Sequence, residues 1–316
     1  MTNYLGVDIG GTNIRYGLVS AQGRLWSSGH FPAQIQRGFD QVVADLNGRL
    51  KEFMATLPSS AQPQGVGIGV AGRIAPQKGL VVFSPNLPDW KNAPLAERVW
   101  QALDLEVRIE NDANLYALGE WLAGAGQGLD NLIVLTLGTG VGGGLILNGR
   151  LWTGSFGNAA EVGHMVVEPE GRTCNCGGRG CLETLASAAA MARMAREWIE
   201  QGETCGYRGR IEDLTSAHLF DLARQGDTLA LKVFDRAGSA LGLVLTDIFN
   251  LLGLQGAIIG GGAAAAFEFL KPRIKAELSA RLMTSDPDQI LLARSALGDQ
   301  ASLIGVPTLF RASKEP

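Results

Sequence analysis

One segment carries most of the residues able to do chemistry. From Glu161 to Glu183 the chain reads EVGHMVVEPEGRTCNCGGRGCLE. It holds one of only 3 histidines and three of only 4 cysteines, in the order His164, Cys174, Cys176, Cys181. A Cys3His set is the ligand list of a closed tetrahedral zinc site, and four protein ligands leave no open position, so the zinc would be structural. The competing reading is a group of apolar core cysteines, which the Gly- and Arg-rich surroundings disfavour. Glu161 and Glu183 bracket the cluster, as if it were built to hold a polar ligand. Cys205 is left over as an ordinary thiol.

Three glycine turns follow apolar runs. In YLGVDIGGTNIRYGLVS the run Tyr4 to Ile9 meets Gly10-Gly11-Thr12, and a second extended run returns. In NLIVLTLGTGVGGGLILNG the run Leu132 to Leu137 meets Gly138-Thr139-Gly140, with a return strand over Gly144 to Leu147. Gly138, Gly140 and Gly143 match G-x-G-x-x-G, but the dinucleotide fingerprint needs a helix next and a strand follows instead. None of the turns carries a Walker A lysine. Two facing hairpin turns with bare N–H groups and Thr hydroxyls suit phosphates, against the plainer reading of tight hairpins. Asp8, beside the first turn, could hold magnesium through water or merely shape the hairpin. The third turn, Gly260-Gly261-Gly262, ends a strand and opens AAAAFEFL, a flat start that suits a nucleotide. Asn111-Asp112 follows VRIE at a strand end. Asp112 there could be a general base for phosphoryl transfer, but a helix cap is the more frequent use of such a pair.

The elements that must position these groups alternate along the chain. Phe39, Val42, Val43, Leu46, Leu50 and Phe53 fall at helical spacing, predicting a helix over about 38–56. Further helices are expected at Asp112 to Leu122, Ala186 to Glu200, Thr215 to Arg224 and Leu229 to Leu252, the last with Gly238 and Gly242 at a close packing face. Strands are expected at Gly65 to Val70, Val81 to Phe83, Glu106 to Glu110 and Ala257 to Ile259. The mixture argues an α/β protein, and 316 residues favour two lobes, each opening with a strand, a Gly/Thr turn and a strand. A net charge of −4 without a basic stretch argues against nucleic acid. No run is long enough for a membrane span, and the start lacks a signal peptide, so a cytoplasmic protein is expected.

Together the stretches GVDIGGTNIRYGLV, GIGVAGRI, SPNLPDW, IENDANLYALGE, LTLGTGVGGGLILNGRLW, AEVGHM with CNCGGRGCLE, AIIGGG and LGDQASLIGVP resemble the ROK family. That family of repressors and sugar kinases lies within the sugar kinase, actin and Hsp70 ATPase superfamily. SPNLPDW and the EVGH/CLE pair look most like its bacterial glucokinases. The resemblance implies a two-lobed actin-like ATPase fold with a cleft. One lobe would span 1–118, rejoined by a C-terminal helix over 300–316, and the other would span 119–299 with the zinc loop. It implies ATP-dependent phosphorylation of a hexose 6-hydroxyl, most readily that of glucose. Fructose, N-acetylglucosamine, N-acetylmannosamine or allose kinases, polyphosphate as donor, and a non-catalytic sugar-responsive regulator are the alternatives. In residue terms, Asp112 would be the base. Gly72, Asn86, Asn111, Glu161, His164 and Glu183 would contact the sugar, His164 through the ring nitrogen that does not bind zinc. Asp8, Gly10, Gly11, Thr12, Asn13, Gly138, Thr139 and Gly140 would serve Mg2+ and the ATP phosphates, and Gly260 to Gly262 the adenosine. Homodimers are usual in the family. One departure is Leu254-Gln255-Gly256, where the family often has Asp-Pro before the adenosine strand, and this puts the local loop shape in question.

Overall fold

The computed structural model describes residues 2–87, 89–283 and 286–311. Pro88 of SPNLPDW and the stretch 312–316 of the expected C-terminal helix lie outside the described residues.

In chain order the elements are β1 (Asn3–Ile9), β2 (Asn13–Ser20), β3 (Leu25–Pro32), α1 (Phe39–Ala55), β4 (Gly65–Val70), β5 (Arg73–Ala75), β6 (Leu80–Phe83), α2 (Leu95–Leu103), β7 (Glu106–Asn111) and α3 (Asp112–Ala123). There follow β8 (Leu132–Leu137), β9 (Val141–Leu147), β10 (Arg150–Leu151), α4 (Glu183–Ala186), α5 (Ala188–Glu200), α6 (Ser216–Arg224), α7 (Thr228–Leu252), β11 (Gly256–Gly260), α8 (Phe267–Arg281), β12 (Leu291–Arg294) and α9 (Ala301–Gly305). They divide into two compact units, 1–128 with 144–159 and 299–316, and 129–143 with 160–298.

The sheets share a design. The first has the order β3-β2-β1-β4-β7 and the second β10-β9-β8-β11-β12. In the first, β1 is antiparallel to β2 and parallel to β4, which is parallel to β7. In the second, β8 and β12 both run parallel to β11. The repeated strand, Gly/Thr turn and strand therefore marks two sheets of like topology, and the fold is α/β.

Alternation explains the first sheet. Leu5, Val7 and Ile9 join Val66, Ile68 and Val70 in a core with Val42, Val43, Leu46 and Leu50 of α1 and Leu95 and Val99 of α2. The opposite face carries Gly6 and Gly67, where an added Cβ would lie 2.9 Å from the Leu303 carbonyl oxygen and 2.5 Å from Val306. Bare backbone there lets the C-terminal segment lie on the sheet. That segment is one short α-helix, α9, followed by a 3-10 stretch over Val306–Phe310.

Local chemistry accounts for the finer differences. The helix expected over Ala186 to Glu200 is interrupted at Ser187, whose extended backbone (φ −71°, ψ 157°) starts α5 and whose Oγ accepts from Ala190 N at 3.1 Å. Serine is a good N-cap, so it separates α4 from α5. The return strand of the second hairpin starts at Val141, not Gly144, which confines the turn to Gly138–Gly140. Helix α7 packs on α8 at Gly238 and Gly242, where a Cβ would meet the Leu270 carbonyl oxygen at 2.9 Å and Glu277 at 2.7 Å. Gln255 gives its loop a fixed shape without Asp-Pro: its Oε1 accepts from Asp130 N and Asn131 N, both at 2.9 Å. Among the described residues no helix is long and apolar enough to cross a membrane.

Candidate functional site

In the first unit the strand register sets the chemistry. Asp8 pairs with Gly69 of β4, and Gly69 pairs with Glu110 of β7, so the three residues form a row. The next row, Ile9, Val70 and Asn111, ends the parallel strands, and Asp112 follows as the first residue of α3. A Cβ on Gly69 would lie 3.5 Å from the Asp112 Cα and 3.7 Å from Asp8 Oδ1. The missing side chain lets α3 approach the strand here, with Leu115 Cδ1 at 3.1 Å from the same point. Burial first, and then the charge of Asp112, push the Asp8 carboxyl up from its ordinary 3.8 to about 7, while Arg15 pulls it down. Arg15 is the cross-strand partner of Asp8 on β2 and stands 3.6 Å from it. Its other nitrogen donates to Asp299 at 2.8 Å.

Asn111 does more than the motif suggested. Its Oδ1 accepts from Ala113 N (2.9 Å) and Asn114 N (3.2 Å), so it is the N-cap of α3. Its Nδ2 donates to the Gly72 carbonyl at 3.1 Å, tying the β4–β5 turn to the start of α3. The cap reading of the Asn-Asp pair thus belongs to Asn111, and Asp112 occupies the first helical turn. Gly72 has φ +118°, and a Cβ there would be 2.4 Å from the Phe83 carbonyl oxygen. That contact packs the turn against the Ser84–Asn86 stretch. Asn86 lies in turn near Gly11, 3.7 Å from where a Gly11 Cβ would be. Gly10 N closes the first hairpin on Asn13 O at 3.0 Å. The first unit therefore assembles Asp8, Gly10–Asn13, Gly72, Asn86, Asn111 and Asp112 around the ends of β1, β4 and β7.

Sequence reasoning missed Glu110. It is buried, and its Oε1 accepts from Asn111 N at 2.9 Å and Asn114 Nδ2 at 3.0 Å. Burial raises its pKa, and the hydrogen bonds from Asn114 and Asn111 oppose the rise. A carboxylate next to an Asn-Asp cap was a usable signal, whereas Asp299 offered none, being joined to Arg15 only by the fold.

The second unit holds the other candidates. His164, Cys174, Cys176 and Cys181 present ligand atoms all within 4.8 Å of one another. Cys176 Sγ and Cys181 Sγ are 3.7 Å apart, and Cys174 Sγ is 3.8 Å from His164 Nδ1. A tetrahedral zinc with ordinary bonds to sulfur and nitrogen sets such edges at about 3.5–3.8 Å, so the donors fit that ion. Burial, then the neighbouring thiols, push the Cys181 thiol up to about 12, a crowding that a bound cation would relieve. The loop closes because Gly180 (φ +66°) needs no Cβ; one would sit 1.5 Å from the Glu168 carbonyl oxygen. With Nδ1 turned to the cluster, His164 directs Nε2 toward Glu161 Oε2 at 4.0 Å.

Glu183, two residues beyond Cys181, turns to the second hairpin. Its Oε2 accepts from Val141 N at 3.0 Å, and its Oε1 is 3.8 Å from Cys174 Sγ. Gly138 N donates to Gly140 O at 2.9 Å within the turn. The third glycine turn lies beside it, since Gly260 pairs with Thr136 and a Gly261 Cβ would lie 2.5 Å from the Leu137 carbonyl oxygen. The second unit therefore gathers the hairpin, the metal cluster, Glu161, Glu183 and the Gly260–Gly262 turn.

Comparison with known proteins places this architecture. A glucokinase of Thermotoga maritima is 38% identical over 310 residues, covering 97% of this chain and 96% of that protein. A xylose repressor of Caldicellulosiruptor bescii is 27% identical over 95% of this chain and 76% of its own length. A solved ROK family glucokinase from Streptomyces griseus, in complex with glucose and AMPPNP, superposes with a TM-score of 0.82 at 32% identity, covering 97% of this chain and 98% of that one. The two mixed five-stranded sheets are thus those of the actin-like ATPase fold. The ROK family model matches residues 4–313, and with relatives this similar over nearly the full length, the chain belongs to the ROK family.

Proposed function

We propose that this chain is an ATP-dependent hexose 6-kinase whose preferred sugar is glucose. The observation that carries the reading is Asp112, held on the first turn of α3 at the carboxyl ends of parallel strands, with Asp8 beside it. Ligands of open α/β sheets gather at such strand ends. Asp112 takes the proton of the sugar 6-hydroxyl as its oxygen attacks the γ-phosphorus of ATP; the bond to the β–γ bridging oxygen breaks and ADP leaves. By the family resemblance, Gly72, Asn86, Asn111, Glu161, His164 and Glu183 are the sugar contacts. Gly10 to Asn13 and Gly138 to Gly140 receive phosphates on backbone N–H groups, and Gly260 to Gly262 take the adenosine. Asp8 is the residue that would hold Mg2+ through water, and the ion would neutralise phosphate charge. His164, Cys174, Cys176 and Cys181 would hold a structural zinc, leaving His164 Nε2 for a sugar hydroxyl. Glucose is favoured because bacterial glucokinases reach 34–38% identity across this chain.

The test is ADP release measured with glucose, fructose, N-acetylglucosamine, N-acetylmannosamine and allose, in the wild type and in Asp112→Asn. Glucose should give the highest kcat/KM. The variant should bind glucose within a few-fold of wild type and lose about 100-fold or more in kcat. Near-normal turnover in Asp112→Asn removes the base assignment. A second reading, a sugar-responsive regulator, has the xylose repressor relative behind it. Sugar binding without ADP release from any of the five sugars would favour it.

A further inference from the structure

The hairpin and the metal loop meet at Val141 and Gly140. Val141, the first residue of β9, is 7% exposed, and its N–H donates to Glu183 Oε2 at 3.0 Å. Its carbonyl oxygen is crowded from the other side by Gly163, where a Cβ would lie only 2.1 Å away. Gly163 adjoins the ligand His164, and Glu183 stands two residues past the ligand Cys181. One arm of the metal loop therefore bonds the Val141 N–H through Glu183, and the other lies against its carbonyl oxygen at Gly163. A third contact, Ala188 N to Gly138 O at 2.8 Å, holds the other end of the turn to the start of α5. Glu183 also fills the space a side chain at Gly140 would take, since a Cβ there would be 2.3 Å from Glu183 Oε2.

We infer that Glu183 is a positioning residue for the phosphoryl donor: with Gly163 it anchors the Gly138–Gly140 hairpin to the metal loop, so metal occupancy sets nucleotide affinity before any sugar binds. This rests on the reading of that hairpin as a nucleotide phosphate site. The physical reason is preorganisation. A glycine hairpin is the most entropically costly backbone to order, and a phosphate that must order it binds more weakly. A metal joining His164 to Cys181 fixes the spacing between Gly163 and Glu183. The hairpin then inherits the rigidity of a closed four-ligand site. The carboxylate acts here as an acceptor for a backbone N–H, a role a neutral amide oxygen can also fill, whereas its charge matters only toward a bound ligand.

That difference supplies the test. Binding of AMPPNP with Mg2+ is measured by calorimetry without sugar, for the metal-loaded wild type, Glu183→Gln, Glu183→Ala and the chelated wild type. Metal content and amide exchange at Val141 are followed in each. Glu183→Gln should bind AMPPNP within about 3-fold of wild type, while Glu183→Ala and the chelated protein should bind about 10-fold more weakly or worse, the scale of one hydrogen bond lost from the hairpin's anchor. Val141 should exchange faster in Glu183→Ala even with metal retained. Unchanged AMPPNP affinity in metal-loaded Glu183→Ala overturns the inference, as does an equal loss in Glu183→Gln. Wild type that binds no AMPPNP at all instead overturns the nucleotide reading beneath it.

Discussion

Replacing Asp8 by Asn should make the protein more stable in alkali relative to acid, by an amount set by the carboxyl's surroundings. The Asp8 side chain is 14% exposed, lies beside Asp112, and has its pKa raised from 3.8 to about 7. Below pH 3.8 the group is protonated in both folded and unfolded chains and costs nothing. As pH rises toward 7 the unfolded chain releases this proton while the folded chain retains it, so stability falls by about 1.4 kcal/mol per pH unit. Above pH 7 the loss levels off near 4 kcal/mol, the full gap between the two pKa values. Between pH 5 and pH 8 the wild type therefore loses about 3 kcal/mol through this one group. Asp8→Asn keeps the shape and removes the titration, and Arg15 keeps Asp299 as a partner. Urea unfolding of both proteins at pH 5, 6, 7 and 8 without divalent cations reads the effect. The stability difference, variant minus wild type, should climb by about 3 kcal/mol across that range. Saturating Mg2+ should flatten the wild-type dependence, because a cation favours the ionised form. A difference that stays constant with pH would refute a raised Asp8 pKa and with it the crowding of the two acids.

Other outcomes follow from single contacts. Asn111→Ala removes the α3 cap and the bond to Gly72, and should cost about 1–3 kcal/mol in thermal or urea unfolding, with a rise in sugar KM. Metal analysis should find about one zinc per chain, as a single four-ligand set requires. Gly180→Ala places a Cβ 1.5 Å from the Glu168 carbonyl oxygen, so it should abolish stoichiometric zinc; a variant retaining full zinc would contradict the account of loop closure. Gly72→Ala should raise sugar KM at least several-fold, since φ +118° and the Phe83 carbonyl oxygen both forbid the side chain; steady-state kinetics with glucose decide it.

Much of this was legible because it is local. The metal ligands share one loop, and soft and imidazole donors at short spacing admit few other uses. Helix α1 was readable from the spacing of Val42, Val43, Leu46 and Leu50, and all four are buried. Strand β4 emerged with the expected bounds because a short apolar run between turns has few other fates. Helix α2 was legible from Leu95, Val99 and Leu103 at helical spacing and was passed over, whereas strand β12 is hidden because Leu291 and Leu292 are too short an apolar run to reveal a period. The break at Ser187 was missed for the opposite reason: its flanks are both helical, and only the bond to Ala190 N shows that the serine starts a new helix.

The sequence by itself determined the residue types that can bind metal, take a proton or bare a backbone N–H, and it carried the family in its motifs. Tertiary structure decided which of them meet. Asp8 and Asp112 are neighbours because β1, β4 and β7 run parallel in register, and Gly69 between them has no side chain. Arg15 finds Asp299 across 284 positions because the C-terminal segment lies on the sheet. Glu183, expected from the resemblance only as a sugar contact, also accepts a hydrogen bond from Val141 N. The physical reason is the same in each case. Side-chain chemistry and local spacing are written along the chain, but strand register and close backbone approach are settled only when distant segments pack.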